Sequence, residues 1–525
     1  MPMPCGHPWS IAPVAGCVYC KLRDHPFHAR RWGDTRVILP CKHLGKYLDN
    51  VTCEPCSKKG KVQLKVFECA IHERCTSSTK IAEVRGCCKG CEDKQEPERI
   101  TVNNGAGGIG DGILGLRAVV GLKQQHPEVK IVYKVGERAI PFVMLFQGPD
   151  VLVPYDDDDM GRRELENDDR QLNRGYLVGG SESRLSRYCH NIGVKQPGPL
   201  VLSDRAGVLE AGKEYRDYVV LSTFSMGRNR EYPHVVALEK KLLEAGHRVL
   251  VLNHESERLA EFSGLTVATA DAKKLAGILL NAACVIGVDS GMAHLAGALG
   301  VPTLVLCRVT RGDVIFDAYP SCQVIQYSEL STEQVVEKVG ATVLRSLVKD
   351  RTLVSSDRLA VIRDCVLATN HLPGDAAEVG VYRGGTAKLI SYFARDTTLH
   401  LFDTFEGIPN DDNVEGGYHK AGDFACPIED VRAYLDAFGI VFHQGVFPYT
   451  APESTTFRFV HLDGDTYQTT QDAIAYFVPR MIPGGIITFD DYEWEHCPGV
   501  KQAIEEAGLV VETPAATQCI YRVSL

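Results

Sequence analysis

The chain has 525 residues, of which 44% are hydrophobic and 24% are charged, as in an ordinary globular protein of three or four domains. Its formal net charge of −10 argues against a general affinity for nucleic acid or anionic membranes. No apolar run approaches the ~20 residues that cross a bilayer, and the start of the chain lacks a secretory signal pattern, so we expect a cytoplasmic protein without a membrane span.

Cysteines are concentrated near the N-terminus, where eleven of the 19 lie in the first 91 residues. In a reducing compartment, clustered cysteines bind metal more often than they form disulfides. Residues 5–20 and 41–56 share the form Cys-x-His, nine residues, Cys-x-x-Cys, at an offset of 36 residues. Three thiolates and one imidazole suit structural Zn²⁺, and an iron–sulfur cluster is the alternative. The predicted ligand sets are Cys5, His7, Cys17, Cys20 and Cys41, His43, Cys53, Cys56.

A third group of candidate ligands follows between residues 69 and 91, and spacing does not decide which four would bind. From Cys69, His72, Cys75, Cys87, Cys88 and Cys91, our provisional zinc set is Cys69, Cys75, Cys88 and Cys91. Sites with four protein ligands stabilise a fold rather than catalyse. We therefore predict a zinc-binding module or modules over residues 1–99.

From about residue 100 to 350, short apolar segments alternate with helical segments, which predicts parallel sheets covered by helices. The strand candidates include KIVYKV, DYVVLSTF, HRVLVLNH, ACVIGVDS and TLVLC. The length suits two lobes, at about 100–212 and 213–350.

Two glycine-containing turns in this region precede helices whose N-termini could hold phosphate. GAGGIGDG (105–112) is a weak signal, whereas VDSGMAHLAGALGVPTLVL (288–306) is more specific. The second segment resembles the nucleotide-sugar signature of the ADP-heptose:lipopolysaccharide heptosyltransferase family, which has the two-lobed GT-B fold. The resemblance implies that Asp111 is the base for the acceptor hydroxyl. It also implies a nucleotide-sugar site at Arg228, Arg230, Asp289, Ser290, Gly291 and His294. A non-catalytic domain is the alternative.

Residues 351–525 begin a new strand, glycine turn and helix in AEVGVYRGGTAKLISYF (377–393). The following strand, TLHLFDTFEG, ends in Asp403, where a carboxylate can bind the ribose of a nucleotide-like cofactor. NAD would fit that geometry, but the turn has the form E-x-G-x-x-x-G-G, which favours S-adenosylmethionine. The predicted cofactor-binding residues are Glu378, Gly380, Gly384, Gly385 and Asp403.

Acidic residues end two further strands, RFVHLDGD at Asp463 and Asp465, and GGIITFDDY at Asp490 and Asp491. Adjacent parallel strands place their carboxyl ends in one crevice, where crowded carboxylates repel unless a cation neutralises them. Hard oxygen ligands suit Mg²⁺. The alternative is that each aspartate caps the following helix or turn.

The C-terminal motifs resemble those of the macrocin-type O-methyltransferases, which methylate sugar hydroxyls with S-adenosylmethionine and magnesium. EVGVYRGGT, LFDTFEGIP, HLDGDTYQTTQDA and PGGIITFDDY occur in that family's order, with Thr466 as a modest departure. The resemblance implies that Asp463, Asp490 and Asp491 are the metal ligands and that Asp403 binds the cofactor ribose. Asp463 is one candidate for the base, with His461 and His419 as alternatives.

Together these motifs predict an α/β multidomain protein. A zinc-binding N-terminal module precedes a GT-B-like pair of Rossmann-type lobes and a C-terminal Rossmann-like class I methyltransferase. We expect a bifunctional glycan-biosynthesis enzyme with a nucleotide-sugar donor and a glycan or glycosylated small-molecule acceptor. Two alternatives stay open: a methyltransferase with a non-catalytic middle domain, and a zinc-organised scaffold without enzymatic activity. A homo-oligomer is compatible with the sequence.

Overall fold

The computed structural model describes residues 36–37, 63–66, 83–85, 99–104, 108–154, 183–225, 230–308, 315–410, 418–435 and 439–524. The chain divides into two compact units, residues 1–239 with 249–332, and residues 240–248 with 333–525. No helix within the described ranges is long and apolar enough to cross a membrane. The predicted zinc ligands and Arg228 lie outside the described residues, so zinc binding remains a prediction.

The strands are numbered in chain order. They are β1 (Arg36–Val37), β2 (Gln63–Val66), β3 (Glu83–Arg85), β4 (Arg99–Asn103), β5 (Lys130–Val135), β6 (Val151–Pro154), β7 (Val219–Ser222), β8 (Val249–Asn253), β9 (Leu265–Ala268), β10 (Cys284–Val288), β11 (Thr303–Cys307), β12 (Cys322–Gln326), β13 (Asp375–Val379), β14 (Leu399–Asp403), β15 (Ile440–Gln444), β16 (Phe457–Leu462), β17 (Met481–Asp490), β18 (Glu512–Ala515) and β19 (Gln518–Arg522).

The α-helices are numbered in the same way. They are α1 (Ile109–Gln125), α2 (Ile140–Val143), α3 (Arg184–Ile192), α4 (Arg205–Gly212), α5 (Val235–Glu244), α6 (Ala272–Leu280), α7 (Gly291–Ala298), α8 (Thr332–Val348), α9 (Ser356–Thr369), α10 (Gly385–Phe393), α11 (Ile428–Leu435), α12 (Tyr467–Phe477) and α13 (Pro498–Glu506).

Among its described residues, the first unit contains an antiparallel pair, β2 and β3, and two larger sheets built largely from parallel strands, as the alternation of strands and helices predicted. One has the order β1-β4-β5-β6, with only β1 antiparallel, and the other has the order β12-β11-β10-β7-β8-β9. Strands β7, β8, β10 and β11 are buried along their whole length. Continuous apolar runs of this kind suit parallel strands that are covered by helices on both faces.

The second unit contains a seven-stranded sheet of order β15-β14-β13-β16-β17-β19-β18. Strands β15, β14, β13, β16 and β17 are parallel, and β19 runs antiparallel to β17. From β13 the chain builds first toward β15 and then toward β17, so the strand order reverses beside β13. In open α/β sheets, ligands bind at the carboxyl ends of strands at such a reversal. The hydrophobic core of the second unit is rich in aromatic side chains, including Phe402, Phe457, Phe477 and Phe489.

Candidate functional site

A cavity of about 480 Å³ opens at the carboxyl ends of β13, β14, β16 and β17 in the second unit. Its lining joins the glycine turn after β13 to the acidic ends of the other three strands. The residues from the sequence prediction that line it are Gly380, Asp403, Asp463, Asp490 and Asp491. The structure therefore brings the predicted cofactor turn and the predicted metal ligands into one space.

The turn after β13 requires glycine at Gly380. Its φ is +83°, and a Cβ added there would lie 1.8 Å from the carbonyl oxygen of Asp463. Gly384 also has a positive φ, of +80°, at the start of α10. A Cβ at Gly385 would lie 2.7 Å from the backbone of Arg351. The turn is thus packed closely against two other chain segments.

Asp403, at the end of β14, holds this turn in place. Its Oδ2 accepts hydrogen bonds from the backbone N–H groups of Val381 at 2.7 Å and Tyr382 at 3.0 Å, and its Oδ1 accepts one from Phe405 at 2.7 Å. A carboxylate has about four acceptor positions, so Asp403 retains capacity for one more donor. Its predicted contact with the cofactor ribose remains a prediction.

Glu378 lies one residue before the cavity-lining Val379 and is fully buried. Neither oxygen of its carboxyl group has a hydrogen-bond partner among the described residues. Burial, and then the neighbouring charge of Asp403, raise the pKa of Glu378 well above its usual value. A buried polar group without a partner is costly, so this carboxyl offers an acceptor to a ligand or water that reaches it.

The acids at the ends of β16 and β17 form a compact cluster. One carboxylate oxygen each from Asp463, Asp465 and Asp491 lies within 4.8 Å of the others, close enough for all three to bind one metal ion. Burial first, and the neighbouring acids second, raise the pKa values of Asp463 and Asp465 well above the usual range. The sequence placed Asp465 at a strand end but gave it no role. Asp465 and Asp491 both have a φ of 58°, each just after the end of its strand.

Asp490 lies beside this cluster but is held by other residues. Its Oδ2 lies 2.6 Å from Nη1 of Arg358, and its Oδ1 accepts a hydrogen bond from Nε2 of Gln518 at 3.0 Å. Arg358 Nη1 also lies 3.1 Å from Oδ1 of Asp491. Burial and the charge of Asp491 raise the pKa of Asp490 to about 7, with Arg358 opposing them. No motif in the sequence indicated Arg358.

The two histidines considered as bases occupy different surroundings. His461 is fully buried in β16, with its Nδ1 2.9 Å from Oγ1 of Thr488, and burial lowers its pKa to about 3. It is a core residue. His419 is buried beside Trp494, and its Nε2 has no hydrogen-bond partner among the described residues. A ring nitrogen of His419 lies within 4.8 Å of ligand atoms of Asp465 and Cys497. Only His419 therefore borders the acidic cluster.

In the first unit, Asp111 lies in the first turn of α1 and already has three partners. Its carboxylate accepts from the backbone N–H of Gly108 at 3.2 Å and from Tyr188 Oη at 3.3 Å, and Nη1 of Arg184 lies at 2.8 Å. Arg184 and Tyr188 belong to α3, which was not assigned a role from the sequence. The predicted base is thus oriented by a cation and a hydroxyl.

The second predicted motif meets α1 at its N-terminus. A Cβ at Gly291 would lie 2.7 Å from Cβ of Ile109, and a Cβ at Gly110 would lie 2.4 Å from the ring of His294. Ser290 precedes α7, and its buried Oγ has no hydrogen-bond partner among the described residues. The described part of the first glycine turn, from Gly108 onward, therefore lies against the start of α7.

Charged and aromatic side chains surround the contact between α1 and α7. Nη1 of Arg230 lies 3.4 Å from Oδ2 of Asp289. His294 is buried and stacks on Phe316 at a ring distance of 4.5 Å, and burial lowers its pKa to about 4. Arg230 is 40% exposed at the start of α7, whereas the Asp289 side chain is 11% exposed and the Oγ of Ser290 is buried. His294 is buried against the N-terminus of α1.

Two families of known proteins resemble different parts of the chain. The family model of macrocin O-methyltransferases (TylF) matches residues 322–510, and that of glycosyltransferase family 9 (heptosyltransferase) matches residues 202–338. The E. coli ADP-heptose lipopolysaccharide heptosyltransferase II structure is 16% identical, covering 45% of this chain and 96% of that chain, at a TM-score of 0.36, too low to bear on fold or function.

Two curated relatives are O-methyltransferases. The 8-demethyl-8-(2,3-dimethoxy-alpha-L-rhamnosyl)-tetracenomycin-C 4′-O-methyltransferase of Streptomyces olivaceus is 34% identical over 168 residues, which are 28% of this chain and 64% of the relative. The mycinamicin III 3″-O-methyltransferase of Micromonospora griseorubida is 30% identical over 179 residues, which are 30% of this chain and 69% of the relative. The chain thus spans just under two thirds of the first relative's length. Both predicted resemblances are confirmed: the chain belongs to the macrocin O-methyltransferase family through its C-terminal region, and its middle region carries the match to the family 9 glycosyltransferases.

Proposed function

We propose that the chain is a bifunctional enzyme of glycan biosynthesis. Its C-terminal region methylates a sugar hydroxyl with S-adenosylmethionine and a divalent cation, and its middle region transfers a sugar from a nucleotide-sugar donor. The observation that carries the first activity is the cluster of Asp463, Asp465 and Asp491 in a cavity that also contains the glycine turn after β13. The two curated relatives, whose names describe O-methyltransferases, support the same reaction class.

The residues around the glycine turn fit S-adenosylmethionine. The cofactor carries an ammonium group, and Glu378 offers a buried acceptor that no described residue uses. Gly380 lines the cavity, and its lack of a side chain lets this turn pack directly against the backbone of Asp463. The remaining acceptor position of Asp403 is available to a ribose hydroxyl. Glu378, Gly380, Gly384, Gly385 and Asp403 would hold the cofactor.

The acidic cluster fits a divalent cation with oxygen ligands, for which Mg²⁺ is our candidate. Asp463, Asp465 and Asp491 are buried or partly buried, and their carboxylates repel one another unless a cation lies between them. Asp490 was predicted as a ligand, but Arg358 and Gln518 occupy its two oxygens. We therefore propose Asp463, Asp465 and Asp491 as the primary ligands, with Asp490 adjoining them.

Methyl transfer needs an activated hydroxyl that is aligned with the methyl donor. When bound, S-adenosylmethionine supplies an electrophilic methyl group, and a divalent cation lowers the pKa of an acceptor hydroxyl. The cavity would hold the acceptor hydroxyl next to the methyl donor, which lowers the entropic cost of the reaction. A carboxylate oxygen of Asp463 or Asp465 would accept the proton that the acceptor hydroxyl releases.

Incubating the full chain with methyl-labelled S-adenosylmethionine and a panel of sugar acceptors tests this activity. Rhamnosides are the first acceptors to use, because the Streptomyces olivaceus relative is named for a rhamnosyl compound. We expect label transfer with Mg²⁺, none with EDTA, and none for Asp463→Asn. Asp396→Asn is the matched control, because Asp396 is exposed. If the wild-type chain neither transfers the methyl label nor binds S-adenosylhomocysteine, the proposed methyltransferase activity is wrong.

The proposed glycosyl transfer rests on the meeting of the α1 and α7 turns. Asp111 would accept a proton from the acceptor hydroxyl, with Arg184 and Tyr188 orienting its carboxylate. Arg230, Asp289, Ser290 and Gly291 would bind the donor at the N-terminus of α7, where backbone N–H groups favour an anion. Arg228 and His294 complete the predicted set. A glycan or a glycosylated small molecule would accept both the sugar and the methyl group.

Release of nucleoside diphosphate from a panel of nucleotide sugars tests the second activity. We expect Asp111→Ala to abolish acceptor-dependent release, whereas Glu257→Ala, at an exposed position, leaves it unchanged. If no donor is consumed but methyl transfer persists, the chain is a methyltransferase with a non-catalytic middle domain. If neither reaction occurs, the scaffold alternative is favoured. The cytoplasmic location and the homo-oligomeric state remain predictions.

A further inference from the structure

Arg358 bridges the two aspartates that follow the apolar run of β17. It is the third residue of α9, and its Nη1 lies 2.6 Å from Oδ2 of Asp490 and 3.1 Å from Oδ1 of Asp491. Its side chain is only 14% exposed, so solvent screens these contacts weakly. A mostly buried cation thus lies against the carboxylates that the sequence assigned to a metal ion.

Arg358 alone does not neutralise the acidic side chains that surround it. Four of the six aspartates that line the cavity, Asp463, Asp465, Asp490 and Asp491, lie at the ends of β16 and β17, in the same cavity as this guanidinium. An arginine does not lose its proton in proteins, so its positive charge is permanent. It lowers the repulsion among the acids, but it also repels any second cation that approaches them.

We propose that Arg358 is an internal counter-cation that sets the affinity of the acidic cluster for its divalent metal ion. It stabilises the cluster when no ion is bound, and it weakens ion binding so that the ion can exchange. Arg358 acts through Asp490 and Asp491 and is therefore a positioning residue. The inference rests on the metal-dependent methyl transfer proposed above.

A purely orienting role for Arg358 would have the opposite consequence. Partners that only orient metal ligands strengthen binding, and their loss typically weakens metal affinity by about 10- to 100-fold. A counter-cation competes with the ion, so removal of its charge strengthens binding. The sign of the change in metal affinity therefore separates the two roles, whatever happens to catalytic activity.

Titrations of the full-length chain with Mn²⁺, followed by electron paramagnetic resonance and calorimetry, measure this affinity. Arg358→Gln removes the charge, and Arg358→Lys retains it without the guanidinium fork. Arg345→Gln removes the same charge from an exposed position of α8 and is the control. We expect Arg358→Gln to bind Mn²⁺ at least about tenfold more tightly, and the other two variants to stay within about threefold of the wild type.

Thermal unfolding gives a second readout. In EDTA, Arg358→Gln should unfold at a lower temperature than the wild type, and saturating Mn²⁺ should reduce the difference. Unchanged or weaker Mn²⁺ binding by Arg358→Gln overturns the counter-cation role while leaving the proposed metal site intact. If the wild type itself binds no Mn²⁺, the proposed metal site and this inference both fail.

Discussion

A Cβ atom added at Gly380 would lie 1.8 Å from the carbonyl oxygen of Asp463. The glycine turn after β13 and the acidic end of β16 are therefore in direct backbone contact. The strands that carry them are neighbours in the sheet, with Val379 in register with Leu462. The candidate cofactor and metal subsites therefore adjoin each other at this backbone contact.

Substitution of Gly380 should damage both stability and cofactor binding. Gly380→Ala meets a positive φ, which costs about 1–2 kcal/mol for an L-residue, and it also clashes with the backbone. We expect a lower thermal midpoint and at least about tenfold weaker S-adenosylhomocysteine binding by calorimetry. Gly508→Ala is the matched control, because Gly508 has a φ of +67° with no atom near the added Cβ. If the two variants have the same thermal midpoint and the same affinity for S-adenosylhomocysteine, Gly380 is not required for cofactor binding.

The carboxylate of Asp491 should be required for metal but not for cofactor. Because Asp491 belongs to the three-acid group, Asp491→Asn should weaken Mn²⁺ binding by about 100-fold or more. S-adenosylhomocysteine binding measured in EDTA should change little. Asp396→Asn is a suitable control, since Asp396 and Asp491 both have positive φ values, of 49° and 58°. Retention of normal Mn²⁺ affinity by Asp491→Asn would contradict the assignment.

Stability of the first unit should fall in mild acid because of His294. Its pKa in the folded chain is about 4, below the ordinary value of 6.5. Between pH 4 and pH 6.5, His294 is therefore protonated in the unfolded chain but neutral in the folded chain. The contribution of neutral His294 to the free energy of unfolding is complete above about pH 6.5 and is lost as the pH falls toward 4. The effect is at most about 3 kcal/mol.

Hydrogen exchange of residues 291–298, corrected for its intrinsic pH dependence, measures this effect at pH 7 and pH 5. His294→Asn should flatten the dependence, whereas His254→Asn should not, because His254 is 63% exposed. Identical pH dependence in wild type and His294→Asn would show that His294 is not the cause.

Arg230 should contribute to donor binding through charge. Among the described residues, Arg230 forms an ion pair with Asp289 at the start of α7. A guanidinium forms strong charge-assisted hydrogen bonds to phosphate. Arg230→Gln should weaken nucleoside diphosphate binding by about tenfold in calorimetry, whereas the exposed Arg205→Gln should not. If both variants bind as the wild type does, the diphosphate does not lie against Arg230.

The sequence predicted the central strands and the acidic residues at their ends, but it did not predict the side chains that contact those acids. Alternating apolar segments predicted β5, β7, β8, β10 and β11, and the parallel arrangement followed because helices separate them. The convergence of Asp463, Asp490 and Asp491 was predictable for the same reason, since β16 and β17 are adjacent and parallel. Edge strands such as β15 and β18 were not identified, because they are short and only partly buried.

Arg358 could not be predicted, because it belongs to a helix far from β17 in sequence and follows no acidic or glycine motif. The inclusion of Asp465 in the three-acid group depends on a turn with positive φ that the residue pattern does not reveal. Similarly, the partners of Asp111 lie on α3, which only the folded chain brings near α1. Contacts between distant segments are set by tertiary packing, which local patterns do not encode.

Calorimetric titration of the full-length chain with S-adenosylhomocysteine, in EDTA and again with Mg²⁺, tests the central claim most directly. We predict one binding site per chain in both conditions, because Glu378, Asp403 and the glycine turn are separate from the acidic cluster. Gly380→Ala should lose this binding. If the wild-type chain binds no S-adenosylhomocysteine in either condition, the cavity after β13 is not a methyl-donor site, and the proposed methyltransferase activity is wrong.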